Sequence, residues 1–163
     1  MNSQTQQFIQ ILKHPVKFRM FLFMKLPAAF FSGIRIKQVT EKECHVTVPF
    51  KWLTQNPFKS TYFASLSMAA ELSTGALAMA CIYKSKPAIS MLVVKVNSSY
   101  FKKAADVTTF ICEDGPAFKN AIEKAIITKE GQTVTAVSTG YNKAGEKVAA
   151  FEISWSFKAK AES

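Results

Sequence analysis

A chain of 163 residues, 48% hydrophobic and 20% charged, has the make-up of one globular domain with room for a core, and is neither disordered nor fibrous. Its 21 Lys and Arg against 11 Asp and Glu leave a net charge of +10, which favours anionic partners, but no nucleic-acid motif accompanies the charge and nucleic acid is not expected. Three widely spaced cysteines (Cys44, Cys81, Cys112) and two distant histidines (His14, His45) suggest neither a disulfide framework nor a metal site.

Residues 1–7 are polar and uncharged, unlike the basic start of a secretory signal, so a cytoplasmic location is expected. Residues 3–31 read as one or two helices. Phe8, Ile9, Ile11 and Leu12 recur at helical spacing, Pro15 opens a second apolar run, and Pro27 stops it. Lys13, Lys17, Arg19 and Lys25 make this segment basic as well as apolar. Two readings stay open: a helix packed on the domain or a partner subunit, or contact with a membrane surface through residues 8–31. From Gly33 the period becomes two. Ile34, Ile36 and Val39 lead through a polar turn, residues 40–43, into Cys44, Val46 and Val48, a hairpin with His45 on its polar face.

Residues 60–83 organise the chain. They hold no Lys or Arg, Glu71 is the single charge, and the rest is Ala, Leu, Met and small residues apolar all round the helix, with Ser60 or Thr61 as the expected cap. About 20 such residues could span a bilayer. Glu71, the Ser and Thr residues and the strand-rich sequence that follows favour a buried helix of a soluble domain. A carboxylate inside that helix needs a partner or a purpose.

Beyond Pro87 four strand-like runs follow. Residues 89–96 are almost wholly apolar, as in a central strand covered on both faces, and continue toward Phe101. Residues 107–112 form a strand, and 116–127 a short amphipathic helix or turn, unless they feed the next strand. Residues 132–141 and 148–157 make a hairpin through an Asn142–Gly145 turn, with Ala149, Phe151, Ile153, Trp155 and Phe157 on one face. The class is α+β: five or six antiparallel strands curled around one long helix, whose remaining side a second subunit could cover.

The segment Ala-Ala-Glu71-Leu-Ser-Thr-Gly75-Ala, with an acid four residues before Gly, resembles the buried helix of hotdog-fold acyl-CoA thioesterases of the phenylacetyl-CoA thioesterase-like group. Ser98-Ser99-Tyr100-Phe101-Lys102-Lys103 before Asp106 is similar to the strand end that follows in that group. The likeness runs from about Arg35 to Phe157. It implies a helical extension over 1–32, a hotdog domain over 33–158 and a tail over 159–163. Where many members carry His-Gly-Gly, this chain has Tyr62-Phe63-Ala64, as in an uncharacterised branch.

The resemblance implies hydrolysis of an acyl-CoA or related thioester by a homodimer or tetramer, with coenzyme A carried by the substrate and no other cofactor. Glu71 would be base or nucleophile. Backbone N–H groups of Phe63 and Ala64 would hold the oxyanion, because the first turn of a helix has unpaired donors. Glu71 and Phe63 lie about 12 Å apart along one helix at about 1.5 Å per residue, so the acid would act across a dimer interface. Tyr62, Asn97, Ser98, Ser99 and Thr74 would contact substrate or orient the acid, and Lys102 and Lys103 would meet CoA phosphates. The alternative is an acyl-CoA- or lipid-binding hotdog protein without catalysis.

Overall fold

The computed structural model describes residues 3–161. Three N-terminal helices come first: α1 (Ser3–Lys13), α2 (Pro15–Lys25) and α3 (Pro27–Phe31). Pro15 and Pro27 each sit in a first turn, where the missing N–H costs no helical bond. Pro27 therefore ends one helix by starting another, which adds a helix to the one or two expected.

The hairpin β1 (Arg35–Val39) and β2 (Cys44–Val48) forms as the alternation predicts, with Thr40 N–H donating to the Glu43 carbonyl across the turn. His45 is half-buried and its Nε2 meets Glu43 at 3.3 Å. A single 3₁₀ turn, Trp52–Thr54, leads to the long helix α4 (Phe63–Ile82). Strand β3 (Ile89–Tyr100), β4 (Thr108–Cys112), helix α5 (Gly115–Thr128), β5 (Gln132–Tyr141) and β6 (Lys147–Ala159) complete the chain. Gly145, at φ +79°, makes the β5–β6 turn.

Among the described residues the six strands form one antiparallel sheet in the order β1-β2-β4-β5-β6-β3. It curls around α4, the hotdog arrangement. Phe110, Phe151, Ile153, Phe157, Val46 and Val48 are enclosed against the helix, and α5 adds Phe118 and Ile122 beside Phe157. Small residues at 69, 70, 73, 76, 78 and 80 let these large side chains reach the α4 backbone. Two polar contacts also join helix to sheet: Ser73 Oγ pairs with Ser138 Oγ at 2.7 Å, and Trp155 Nε1–H donates to Thr74 Oγ1 at 3.0 Å. By length and composition α4 could cross a membrane, but 67% of its most apolar stretch is buried within the domain.

One expectation fails. The apolar run 89–96 is not a central strand: β3 pairs with β6 alone and lies at the sheet edge, with Leu92, Val94 and Val96 half or more exposed. Apolar residues on both faces reflect an uncovered edge as readily as a doubly covered centre. Cys44 and Cys112 are free thiols opposite each other on β2 and β4; burial raises both, Cys112 to about 12.

Candidate functional site

The α4 sequence places Glu71 on its least covered stripe. Ala64, Ser67, Met68 and Glu71 recur three to four residues apart along the first half of the helix and are half-buried, whereas residues 72–78 that follow are enclosed. The carboxylate folds back along the helix over Gly75. A methyl built on Gly75 would lie 3.2 Å from Glu71 Oε1 and 3.4 Å from the Trp155 ring, so the small residue one turn on is what makes room for the acid. Among the described residues no donor or cation meets that carboxylate. Burial raises its pKa, because leaving water penalises the charged form.

Thr74, expected to touch substrate, is fully enclosed. Its hydroxyl donates to the Glu71 carbonyl at 2.9 Å while accepting from Trp155, so it fixes the helix and does not reach the open stripe. Ser67 likewise donates to the Phe63 carbonyl at 2.9 Å.

The start of α4 sits in a separate groove. Neither Ser60 nor Thr61 caps the helix. Thr61 N–H and Oγ1 both donate to the Ala104 carbonyl, at 2.8 and 3.0 Å, and Ser60 Oγ donates to Asn56 Oδ1. Tyr62, in extended backbone, holds the N-cap position without a side-chain cap, and its N–H goes to the Thr54 carbonyl. Consequently the Phe63 and Ala64 N–H groups keep no acceptor among the described residues, at the positive end of a 20-residue helix. Beside this helix start lies a groove of about 600 Å³ between Phe58, Tyr62 and Phe63 on one side and Tyr100, Phe101 and Lys103 on the other; Ala64 does not line it.

The sequence-predicted residues thus divide. Tyr62, Phe63, Lys102 and Lys103 come together at this groove; Glu71 does not join them within one chain. Lys103 Nζ donates to the Phe58 carbonyl at 3.4 Å, and Lys102 is paired with Glu146. On β3, Ser98 lies opposite Phe151 and shares the helix-facing side, whereas Asn97 lies opposite Glu152 and donates to it at 3.5 Å on the outer side, with Ser99 facing the same way.

Three participants escaped the sequence reading. Trp155 was placed only in the core face of its strand, yet its indole supports both Thr74 and the space beside Glu71. Phe58 enters the groove because Asn56 Oδ1 accepts from the backbone of Phe58 and Ser60, an Asn-centred turn that the Asn-Pro pair could have signalled. Lys147 lies 4.6 Å over the Phe101 ring, a contact set only by sheet register.

Solved structures share this architecture. A Pseudomonas aeruginosa protein of unknown function, described as a probable thioesterase, matches with a TM-score of 0.75 at 17% identity, over 90% of this chain and 97% of that one. The PaaI protein of E. coli, from the phenylacetic acid degradation operon, gives 0.60 at 14% identity over 94% and 96%. A thioesterase of Haemophilus influenzae gives 0.59 at 12% identity over 88% and 90%. No curated protein matches the sequence. Residues 17–157 match a family described as a domain of unknown function, DUF4442, a match that takes in most of α2 and all of α3. The chain belongs to that family, and carries it on a hotdog fold.

Proposed function

We propose that this chain is a cytoplasmic thioesterase that hydrolyses an acyl-CoA or related thioester as a homodimer or a tetramer. The observation that carries the reading is the Glu71 carboxylate: half-buried, without a partner among the described residues, and held over Gly75 on a less covered stripe of α4. Such a group is costly to keep unless something arrives to meet it. The unpaired Phe63 and Ala64 N–H groups supply the complementary half, and the free apolar edge of β3 supports association with a second copy.

In the proposed reaction Glu71 of one protomer takes a proton from water, and the resulting hydroxide adds to the thioester carbonyl carbon. The oxyanion is held by the Phe63 and Ala64 N–H groups of the second protomer. Collapse breaks the carbon–sulfur bond, and Glu71 returns the proton to the leaving thiolate, giving a carboxylic acid and free CoA. No cofactor beyond the substrate's own CoA enters. Lys103 and Lys147, beside the groove, suit the CoA phosphates better than Lys102, which Glu146 engages.

A panel of acyl-CoA substrates assayed with the parent, Glu71→Gln and Glu71→Ala decides the matter; unchanged turnover by either variant refutes the assignment. Tyr62 and Phe63, both about half exposed and packed edge-to-face at 4.9 Å where relatives of this group place His-Gly-Gly, favour a second reading: acyl-CoA binding without hydrolysis. Bound acyl-CoA recovered intact after prolonged incubation would establish that reading instead.

A further inference from the structure

The N-terminal helices fold onto the domain through only part of their apolar surface. Phe8, Ile9 and Leu12 of α1 are buried, with Phe8 packed on Tyr83 at 4.9 Å, so α1 is committed to the domain. Helix α2 buries Phe18 and Leu22. Its opposite face carries Val16, Met20, Phe23 and Met24, spaced three to four residues apart and 55–69% exposed. Between them and Phe30 lies an open apolar groove of about 730 Å³, and Phe31, also half exposed, continues it from Phe23 at 6.3 Å. A patch of this kind on a soluble chain marks a contact surface.

Charge says what the contact is. Residues 1–40 contain six cations (Lys13, Lys17, Arg19, Lys25, Arg35, Lys37) and no acid; Glu41 is the first. Lys17 and Lys25 are exposed on α2 itself, while Arg19 is spent internally, over the Phe30 ring at 4.0 Å and on the Phe30 and Ile34 carbonyls. Trp52, 79% exposed, joins the same region, because Lys51 Nζ donates to the Phe31 carbonyl at 3.0 Å and ties the Trp52–Thr54 turn beside α3. Flexible Met and aromatic side chains flanked by lysines, without one carboxylate, match an anionic phospholipid surface: the side chains enter the acyl boundary while the ammonium groups stay at the headgroups. A protein partner would have to be apolar at its centre and acidic at its rim, a narrower requirement that nothing on this face demands.

We infer that the outer face of α2, with Phe31 and Trp52 at its margin, docks the protein on anionic lipid bilayers. This stands apart from the thioesterase reading and survives its failure. The full chain is floated with phosphatidylcholine vesicles and with vesicles holding about a quarter phosphatidylglycerol, at low and high salt. Binding is expected to the anionic vesicles, weakened by salt. The Met20→Asp/Met24→Asp double variant should partition at least about tenfold less with its circular dichroism unchanged. Lys17→Gln and Lys25→Gln, at exposed positions that leave the core untouched, should each lose about fivefold. Absence of flotation, equal binding to neutral vesicles, or full binding by the double variant overturns the proposal. So does a shift of the double variant to a smaller species on sedimentation, which would assign the face to a second copy of the chain.

Discussion

Glu71→Gln separates a working acid from a structural one by the sign of two measurements. The amide keeps the volume of the carboxylate, so packing over Gly75 and beside Trp155 is unchanged. As general base, the residue contributes about 10²- to 10⁴-fold, or about 3–5 kcal/mol at about 1.36 kcal/mol per decade, and turnover should fall by that factor. Stability should move the other way. Burial raises the folded-state pKa of Glu71, so the native chain holds this proton more firmly than the unfolded one. Below the ordinary carboxylate range both states are protonated and no penalty arises. As pH rises through the unfolded value toward the raised one, the native state loses stability, and above that the loss is constant. Gln has no such loss. The variant should therefore unfold at higher urea than the parent at pH 8, with the difference closing on acidification. The parent's activity should climb with pH through a value above the usual carboxylate pKa. A carboxylate retained for hydrogen bonds predicts the reverse: a less stable variant with near-parental turnover. That result would refute the reasoning.

Other expectations test neighbouring parts of the structure. Phe63→Pro removes one unpaired N–H at a position where proline fits, since Tyr62 before it is extended; against Phe63→Ala, which keeps the N–H, it should cost about 10²- to 10³-fold in turnover with similar urea midpoints. Val94→Lys puts a charge at the bulge of the free β3 edge and should yield a folded monomer on sedimentation with turnover lost in step; a fully active monomer would remove the need for two chains. Gly115→Ala should destabilise by about 1–3 kcal/mol or more in urea unfolding, because its methyl would fall 2.0 Å from the Glu41 carbonyl oxygen, whereas Gly131→Ala, with nothing nearer than 4.0 Å, should change stability by less than about 0.5 kcal/mol.

Much of the fold was legible because its signals are local. The α4 composition, the one charge inside it and the alternation of Ala149 to Phe157 each follow from a few consecutive side chains. What could not be read depends on residues far apart. Thr61 looked like a helix cap, but the Ala104 carbonyl, 43 positions away, takes its hydroxyl, and the helix begins two residues later with its donors free. Residues 89–96 looked central because periodicity reports how apolar a strand is and not which neighbour lies beside it. Of the two lysines expected to meet phosphate, Lys102 is the one that the β5–β6 turn neutralises through Glu146. Glu71 itself could be picked out from sequence, but its lack of any partner could not, since that is a statement about everything around it.

A greasy cylinder inside a greasy sleeve has no intrinsic azimuth: turned by some tens of degrees, α4 would bury nearly as much apolar area. The Ser73–Ser138 and Trp155–Thr74 contacts end that degeneracy. Each is directional and short, and each would strand a polar atom in the core if the rod were rotated. They act as two dowels on the covered side, clocking the helix so that position 71 arrives at the less covered one.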